Sequence, residues 1–244
     1  MPKIAVFSDV HSNYEALLRV FEDIDKQGVD SIYCLGDLVG YGPQPQECCD
    51  LVRERGESVQ MVQGNHEQGL INIYYLQGFN QPAKDALRKT REMVTDETYE
   101  WLVAHPKSLS EQGCRFVHGV PPNSASEYIW KYEKEMGEVF SRYTEGVCFV
   151  GHTHDLMRFT CRDRKASEKL PLNEGELRLD KDTRHLLNIG AVGQPRDGDN
   201  SAKYALYDTD AQILTMRFIP YDIKKTADLI RACGLHRGYA DRLW

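Results

Sequence analysis

The sequence predicts an α/β fold in which two β-sheets stack on one another and are flanked by helices. Three observations indicate this fold. Five short apolar segments recur before residue 151, helical patterns lie between them, and after residue 154 the chain changes to strand patterns separated by polar turns. The chain has 244 residues, of which 41% are hydrophobic, so a sizeable core is available. We therefore predict a single domain over residues 1–244.

The five early apolar segments have the length of β-strands and lack a clean alternation of apolar and polar residues. This pattern is typical of strands that are buried on both faces. A helix is predicted after the first strand, because Asn13 can cap it, Leu17 and Phe21 share one face, and Gly28 can occupy the position after its end. The five predicted strands are residues 4–7, 31–35, 59–62, 114–117 and 147–150.

The region between the third and fourth strands has helical spacing. Residues 70–109 predict two or three helices, which we interpret as a helical insertion at about 68–109. After residue 154 a second sheet is predicted, and residues 223–233 form a C-terminal helix that Gly234 ends. The strands predicted for the second sheet are residues 156–161, 176–179, 185–189, 203–207 and 213–218.

Composition excludes several classes of protein. The chain carries 30 Lys and Arg against 37 Asp and Glu, a net charge of −7, which argues against binding long nucleic acids or an anionic membrane surface. No apolar stretch approaches the ~18 residues that a membrane span needs. The seven cysteines are odd in number and lack C-x-x-C spacing, so they predict reduced thiols and a cytoplasmic protein.

Each of the five early strands is followed by residues of metal-ligand type. Because the carboxyl ends of strands in an open α/β sheet share one edge, these side chains are expected to converge although they are far apart in the chain. The residues are Asp9 and His11 after the first strand, Asp37 after the second, Asn65, His66 and Glu67 after the third, His118 after the fourth, and His152 and His154 after the fifth.

This donor set predicts two divalent metal ions. It holds more oxygen and nitrogen donors than one ion can use, and mixed imidazole and carboxylate ligands suit Mn, Fe, Co, Ni or Zn better than Ca or Cu(I). Two ions ~3.5–4 Å apart can polarise a phosphoryl group and hold a deprotonated water for in-line attack. The hypothesis is therefore metal-assisted phosphoester hydrolysis. The adjacent glycines that would allow close approach of the backbone are Gly36, Gly64, Gly119 and Gly151.

The motifs D-x-H, G-D, G-N-H-E, H-G and G-H-x-H, in this order, resemble the calcineurin-like metallophosphoesterase superfamily. They run from Asp9 to His154, roughly the first two-thirds of the chain. The resemblance implies a four-layer αββα sandwich with two central mixed sheets. Carried over by position, it implies one metal held by Asp9, His11 and His154, a second held by Asn65, His118 and His152, and Asp37 bridging both.

The same resemblance implies the chemical roles. His66 would donate a proton to the leaving-group oxygen, and a hydroxide bridging the two ions would be the nucleophile. Glu67 would orient neighbouring groups. Manganese is the metal expected to support activity in vitro, and the substrate would be a small phosphoester, nucleotide-like and either a diester or a monoester.

The sequence departs from some branches of the superfamily after Gly36-Asp37. Residues 38–43 read Leu-Val-Gly-Tyr-Gly-Pro, whereas the serine/threonine protein phosphatases and the symmetrical diadenosine tetraphosphatases carry a D-R-G element with a phosphate-binding arginine. The version found here is similar to small bacterial and archaeal phosphoesterases. Arg196 is a candidate replacement phosphate ligand, because a guanidinium matches phosphate bidentately; the alternative is a solvated loop residue.

Other interpretations remain open at this point. Tyr41 and the aromatic cluster at 128–130 either contact a substrate or pack loops. A non-catalytic, metal-binding scaffold for protein interactions is the alternative to an enzyme. Among enzymes, a dinucleoside polyphosphate hydrolase or a protein phosphatase would use the same metal chemistry.

Overall fold

Two mixed β-sheets pack face to face in the computed structural model, which describes residues 2–244. The first sheet has the strand order β10-β13-β12-β1-β2-β3, and the second has the order β4-β5-β6-β11-β7-β8, with β9 paired to β7. The strands are β1 (Lys3–Phe7), β2 (Ser31–Cys34), β3 (Val59–Met61), β4 (Ser108–Glu111), β5 (Cys114–Val117), β6 (Val147–Val150), β7 (Leu156–Arg162), β8 (Lys165–Ala166), β9 (Leu170–Pro171), β10 (Gly175–Arg178), β11 (Arg184–Ile189), β12 (Ala202–Asp208) and β13 (Ile213–Ile219).

Helices cover the outer faces of both sheets. The helices α1 and α2 pack on the first sheet, and α7 packs on the second. The predicted four-layer αββα arrangement is thereby confirmed. The helices are α1 (Tyr14–Ile24), α2 (Pro45–Arg53), α3 (Asn65–Ile71), α4 (Ile73–Gln77), α5 (Gln81–Met93), α6 (Asp96–Val103), α7 (Met136–Ser141), α8 (Ile223–Ala232) and α9 (Arg237–Asp241).

The strand β1 shows why its sequence lacks alternation. Its side chains point alternately to opposite faces. Ile4 and Val6 enter the core between the two sheets, whereas Ala5 and Phe7 enter the core beneath the helices. All four are fully buried, so both faces must be apolar.

Aromatic stacking joins the two sheets. The ring of Tyr33 in β2 lies parallel to that of Phe116 in β5, with 3.8 Å between the centroids, and Phe116 stacks in turn on Phe149 of β6. The hydroxyl of Tyr33 donates a hydrogen bond to Glu111 of β4 at 2.8 Å. These contacts hold the strands β2, β5 and β6 together near their carboxyl ends.

Some sequence-based expectations need correction. The five early strands do not form one sheet and the later strands a second: β1, β2 and β3 share the first sheet with β10, β12 and β13, whereas β5 and β6 share the second with β7 and β11. Residues 108 and 109 were predicted to be helical, but they begin β4, because Gln112 and Gly113 adopt left-handed conformations that turn the chain into the β4–β5 hairpin. The helix α1 begins after its Asn13 cap as predicted, yet ends at Ile24, and Gly28 lies in the turn that follows. The short elements β8, β9 and α9 were not predicted, because they are only two to five residues long.

Two expectations from composition can be compared with the structure. None of the helices within residues 2–244 is long and apolar enough to cross a membrane. All seven cysteines are free thiols, and six of them are buried.

Candidate metal centre

The seven expected metal ligands lie together where five strands end. The parallel strands β1, β2 and β3 of the first sheet and the parallel strands β5 and β6 of the second bring them to one place. None of the seven is more than 9% exposed. Three overlapping groups of side chains have their ligand atoms within 4.8 Å of one another: Asp9, His11 and His154; His11, Asp37 and His66; and Asp37, His118 and His152.

The backbone at these strand ends is unusual. Left-handed φ angles are uncommon for residues other than glycine and concentrate at functional sites. Five of the seven expected ligands have them, with φ between 48° and 68°. The chain turns sharply after each strand and directs the side chains inward. The five residues are Asp9, His11, Asp37, His152 and His154.

Glycines at two of these turns leave room for the carboxylates. A Cβ atom on Gly64 would collide with the Asp37 carboxylate, and one on Gly151 would collide with Ser8 and with the Asp9 carboxylate. Any other residue at either position would therefore displace an expected ligand.

The first group of ligand atoms consists of acceptors that face one another. His11 Nε2 lies 3.1 Å from His154 Nε2, and Asp9 Oδ1 lies 3.1 Å from His154 Nε2. The Nδ1 atoms of the two histidines donate to the carbonyl oxygens of Val39 and Gln194. The Nε2 atoms therefore carry lone pairs.

The second group has the same character. His118 Nε2 lies 3.1 Å from Asn65 Oδ1, 3.2 Å from His152 Nδ1 and 3.3 Å from Asp37 Oδ2. The other ring nitrogens donate to backbone carbonyls, His118 Nδ1 to Leu35 and His152 Nε2 to Ser126. When His118 is neutral, these four atoms are all acceptors and none of them donates to another.

Converging lone pairs repel one another unless a cation or a shared proton lies between them. Histidines that ligate metals characteristically donate their other ring nitrogen to a backbone carbonyl or carboxylate, as all four histidines do here. Asp37 Oδ2 lies 3.8 Å from His11 Nε2 and 3.3 Å from His118 Nε2, so it faces both groups. The residues present therefore fit divalent cations, and Asp37 lies close to both groups.

The charges of the site favour cations as well. Burial raises the pKa of Asp9 and Asp37, but the neighbouring imidazoles outweigh burial and hold the pKa of both carboxyl groups well below their usual range. Burial lowers the pKa of His118, yet the two carboxylates raise it to about 9. Burial lowers the pKa of His152 to about 3, with the charge of His118 adding to the effect. A metal ion would replace the proton on His118.

His66 differs from the four histidines above. Its backbone N–H donates to Asp37 Oδ1 at 2.8 Å, but within residues 2–244 its ring has no hydrogen-bond partner, and Nδ1 is buried. Its Nε2 lies 3.9 Å from Asp37 Oδ2. The ring packs between Tyr41, at 4.4 Å, and Phe79, at 5.1 Å between centroids. Packing therefore holds this ring beside the cluster.

Glu67 joins the turns that carry Asp37 and Asn65. It is fully buried, and its carboxylate accepts the backbone N–H groups of Asp37 and Gly64 at 2.8 Å each and that of Leu38 at 3.0 Å. Burial and the Asp37 charge raise its pKa to about 7. Glu67 thus fixes the positions of two ligand-bearing loops without pointing at the cluster.

Arg196 is separate from the cluster. It lies exposed on the loop after β11, where its Nη2 donates to Gln194 Oε1 at 3.1 Å. Burial lowers the pKa of His154, and the positive charge of Arg196 adds to this effect, so the guanidinium acts on the site through space. The fully buried Lys203 secures this loop by pairing with Asp197 at 2.8 Å and Asp199 at 3.2 Å.

Comparison with known proteins decides the family. A family described as calcineurin-like phosphoesterase matches residues 2–156, well over half of the chain. The chain belongs to this family. It is accordingly a metallophosphoesterase, an enzyme that hydrolyses phosphoester bonds.

Relatives cover the whole chain or only part of it. A metallophosphoesterase from Sphaerobacter thermophilus is 36% identical, with a TM-score of 0.84 over 99% of this chain and 98% of that one. An uncharacterized protein of Methanocaldococcus jannaschii is 36% identical over 99% of this chain and 97% of its own length. The symmetrical bis(5'-nucleosyl)-tetraphosphatase of Cronobacter sakazakii is 34% identical over 41% of this chain and only 36% of its own length.

An aromatic cleft opens beside the candidate metal centre of this phosphoesterase. The ring of Tyr128 stacks on His152 with 4.0 Å between centroids, and Tyr41 packs against His11 at 4.6 Å. Both tyrosines line the cleft, so they lie beside the metal centre, whereas Ile129 is buried in the core and Trp130 is exposed. Sequence patterns did not predict Tyr74 and the residues next to it, although the absence of charge in the helix α4 could have drawn attention to them.

Proposed function

We propose that this metallophosphoesterase acts through two divalent cations, and the converging lone pairs carry the proposal. Asp9, His11 and His154 would hold one cation, and Asn65, His118 and His152 the other. Asp37 would contact both, because its Oδ2 faces both groups. Bound divalent ions polarise a phosphoryl group and lower the pKa of water, which supplies the nucleophile for ester hydrolysis.

The chain's own residues orient and protonate the substrate in this proposal. His66 donates a proton to the oxygen of the leaving group, since its ring lies beside the cluster and is not fixed to a backbone carbonyl. Burial lowers the pKa of His66 to about 3, and the negative charge of a bound phosphoester would favour its protonated form. Arg196 would bind a phosphate oxygen from the exposed loop.

Small nucleotide-like phosphoesters are the proposed substrates. The partial similarity to a symmetrical bis(5'-nucleosyl)-tetraphosphatase favours a dinucleoside polyphosphate as the second candidate. A scaffold without catalysis is disfavoured because every expected ligand and His66 are present. Leu38 stands where the protein phosphatases carry the phosphate-binding arginine of D-R-G, which disfavours a protein phosphatase. The symmetrical tetraphosphatases carry the same arginine, so the dinucleoside polyphosphate candidate rests on the partial similarity alone.

Comparison of two model esters tests this proposal. Metal-stripped protein is resupplied with Mn²⁺, and initial rates are measured on bis-p-nitrophenyl phosphate and p-nitrophenyl phosphate, with chelator as control. We expect chelator-sensitive hydrolysis of at least one ester. Preference for the diester indicates a phosphodiesterase, and preference for the monoester indicates a phosphatase. Rates that chelator does not change would contradict the proposal.

A further inference from the structure

The cleft beside the metal centre has the size and position of a binding site for the rest of the substrate. Its volume is about 570 Å³, within the range usual for small-molecule sites. It begins at two expected metal ligands, Asn65 and His152, and extends outward between the segment 74–83 and the loop 126–131. A phosphoester whose scissile phosphate lies at the metal centre would therefore place its organic part in this cleft.

The walls of the cleft are aromatic. Tyr41, Tyr74, Tyr75, Phe79 and Tyr128 all line it. Tyr74 is 77% exposed, and neighbouring Ile73 is 60% exposed, on a helix without charged residues. Exposed aromatic and apolar surface of this kind is typical of a binding surface, and tyrosine rings stack on planar ligands.

The charges of the cleft suit an anion. Its lining includes Lys131 and no carboxylate, although the whole chain carries a net charge of −7. The Lys131 ammonium lies 5.8 Å from the centroid of the Tyr128 ring and 5.6 Å from that of the Trp130 ring. A second cation, Lys107, lies over the outer wall, 5.5 Å from the ring centroid of Tyr75.

We infer that this cleft binds the nucleoside part of a nucleotide phosphoester, with the base stacked on Tyr74 and a further phosphate near Lys131. The inference rests on the proposed function, because it requires the scissile phosphate to lie at the metal centre. Stacking is tolerant of which base is present. The base therefore contributes affinity, and selectivity is for nucleotides over aliphatic phosphoesters.

Equilibrium binding tests the role of the base without relying on turnover. Calorimetry on the Mn²⁺-loaded protein compares AMP with ribose 5-phosphate, which lacks only the base, and each ligand is used as its phosphonate analogue, which the enzyme cannot hydrolyse. We expect AMP to bind about tenfold more tightly, in line with the energy of one base–aromatic stack. Tyr74→Ala should reduce this ratio to near one. Because Tyr74 is mostly exposed, the substitution does not threaten folding.

The matched control is Ile73→Ala, which removes an exposed apolar side chain from the same helix but outside the cleft lining. It should leave the affinity ratio unchanged. Lys131→Gln should lower the affinity for ADP several-fold more than the affinity for AMP, because only ADP carries the further phosphate.

Two different failures can be told apart. Equal binding of AMP and ribose 5-phosphate by the wild-type protein, with metal-dependent hydrolysis of p-nitrophenyl esters intact, would overturn the nucleoside subsite alone. If Tyr74→Ala keeps the wild-type ratio of the two affinities, the base does not stack on Tyr74. If the wild-type protein shows no metal-dependent hydrolysis at all, the proposed function is overturned, and the nucleoside subsite with it.

Discussion

Asp37→Asn is expected to lower kcat by about a thousandfold, the largest effect of any single substitution in the site. The amide is neutral where the carboxylate faces both groups of ligand atoms, so both cations would lose affinity. A loss of about 4 kcal/mol of metal-ion stabilisation of the transition state corresponds to about a thousandfold in rate. Rates on bis-p-nitrophenyl phosphate with saturating Mn²⁺ measure the effect.

The design of this variant separates chemistry from folding. The oxygen of the introduced amide could still accept the hydrogen bond from the His66 backbone N–H, which Asp37 Oδ1 accepts in the wild-type protein. We therefore expect the folded structure to persist, with a melting temperature close to that of the wild-type protein without metal. Asp182→Asn, at a side chain that is 81% exposed, is the matched control and should be fully active. Near-wild-type turnover of Asp37→Asn would exclude a shared carboxylate.

His66→Asn is expected to have the second-largest effect, and its size should depend on the leaving group. A positioned general acid contributes about 10²–10⁴-fold, and most to leaving groups that are strong bases. Hydrolysis of a phenyl ester should therefore fall by about 10²-fold, whereas the matching p-nitrophenyl ester should lose about tenfold or less. The two esters share the same ring size, so binding in the aromatic cleft does not confound the comparison.

His105→Asn is the control for this substitution. His105 is half-buried and packs against Trp101, with 4.8 Å between the ring centroids. Because it lies outside the metal cluster, its substitution should leave both rates unchanged. An equal loss on both esters in His66→Asn would contradict proton donation and assign His66 a role in holding the site together.

The parts of this fold that could be predicted from sequence are those with strong local signals. Residues 4–7 of β1 and all of β6 are continuous apolar segments, and Asp9 and His152 follow them two residues later, so the positions of these strands and of the adjacent candidate ligands could be predicted. Asp9 and His154 meet because β1 and β6, the strands that they follow, lie in two different sheets that stack face to face, and the sequence did not predict this division of the early strands between the sheets.

The aromatic cleft could not be predicted in the same way. It forms where the helix α4 and the loop containing Tyr128 approach each other, and neither segment has a sequence period that specifies that approach. The hydrogen bond from His154 Nδ1 to the carbonyl of Gln194 could not be predicted either, because every residue has a backbone carbonyl and the residue type does not indicate which one accepts. Contacts that depend on the conformation of loops could therefore be identified only from the structure.

Titration of metal-stripped protein with Mn²⁺ shows whether two cations bind and whether hydrolysis requires both. Calorimetry counts the ions bound per chain, while initial rates on bis-p-nitrophenyl phosphate and p-nitrophenyl phosphate are followed at each addition. Two groups of converging acceptors that share Asp37 predict two bound ions and a rate that reaches its maximum only as the second ion binds. Hydrolysis by the metal-free protein, or two bound ions with no hydrolysis of either ester, would contradict the account.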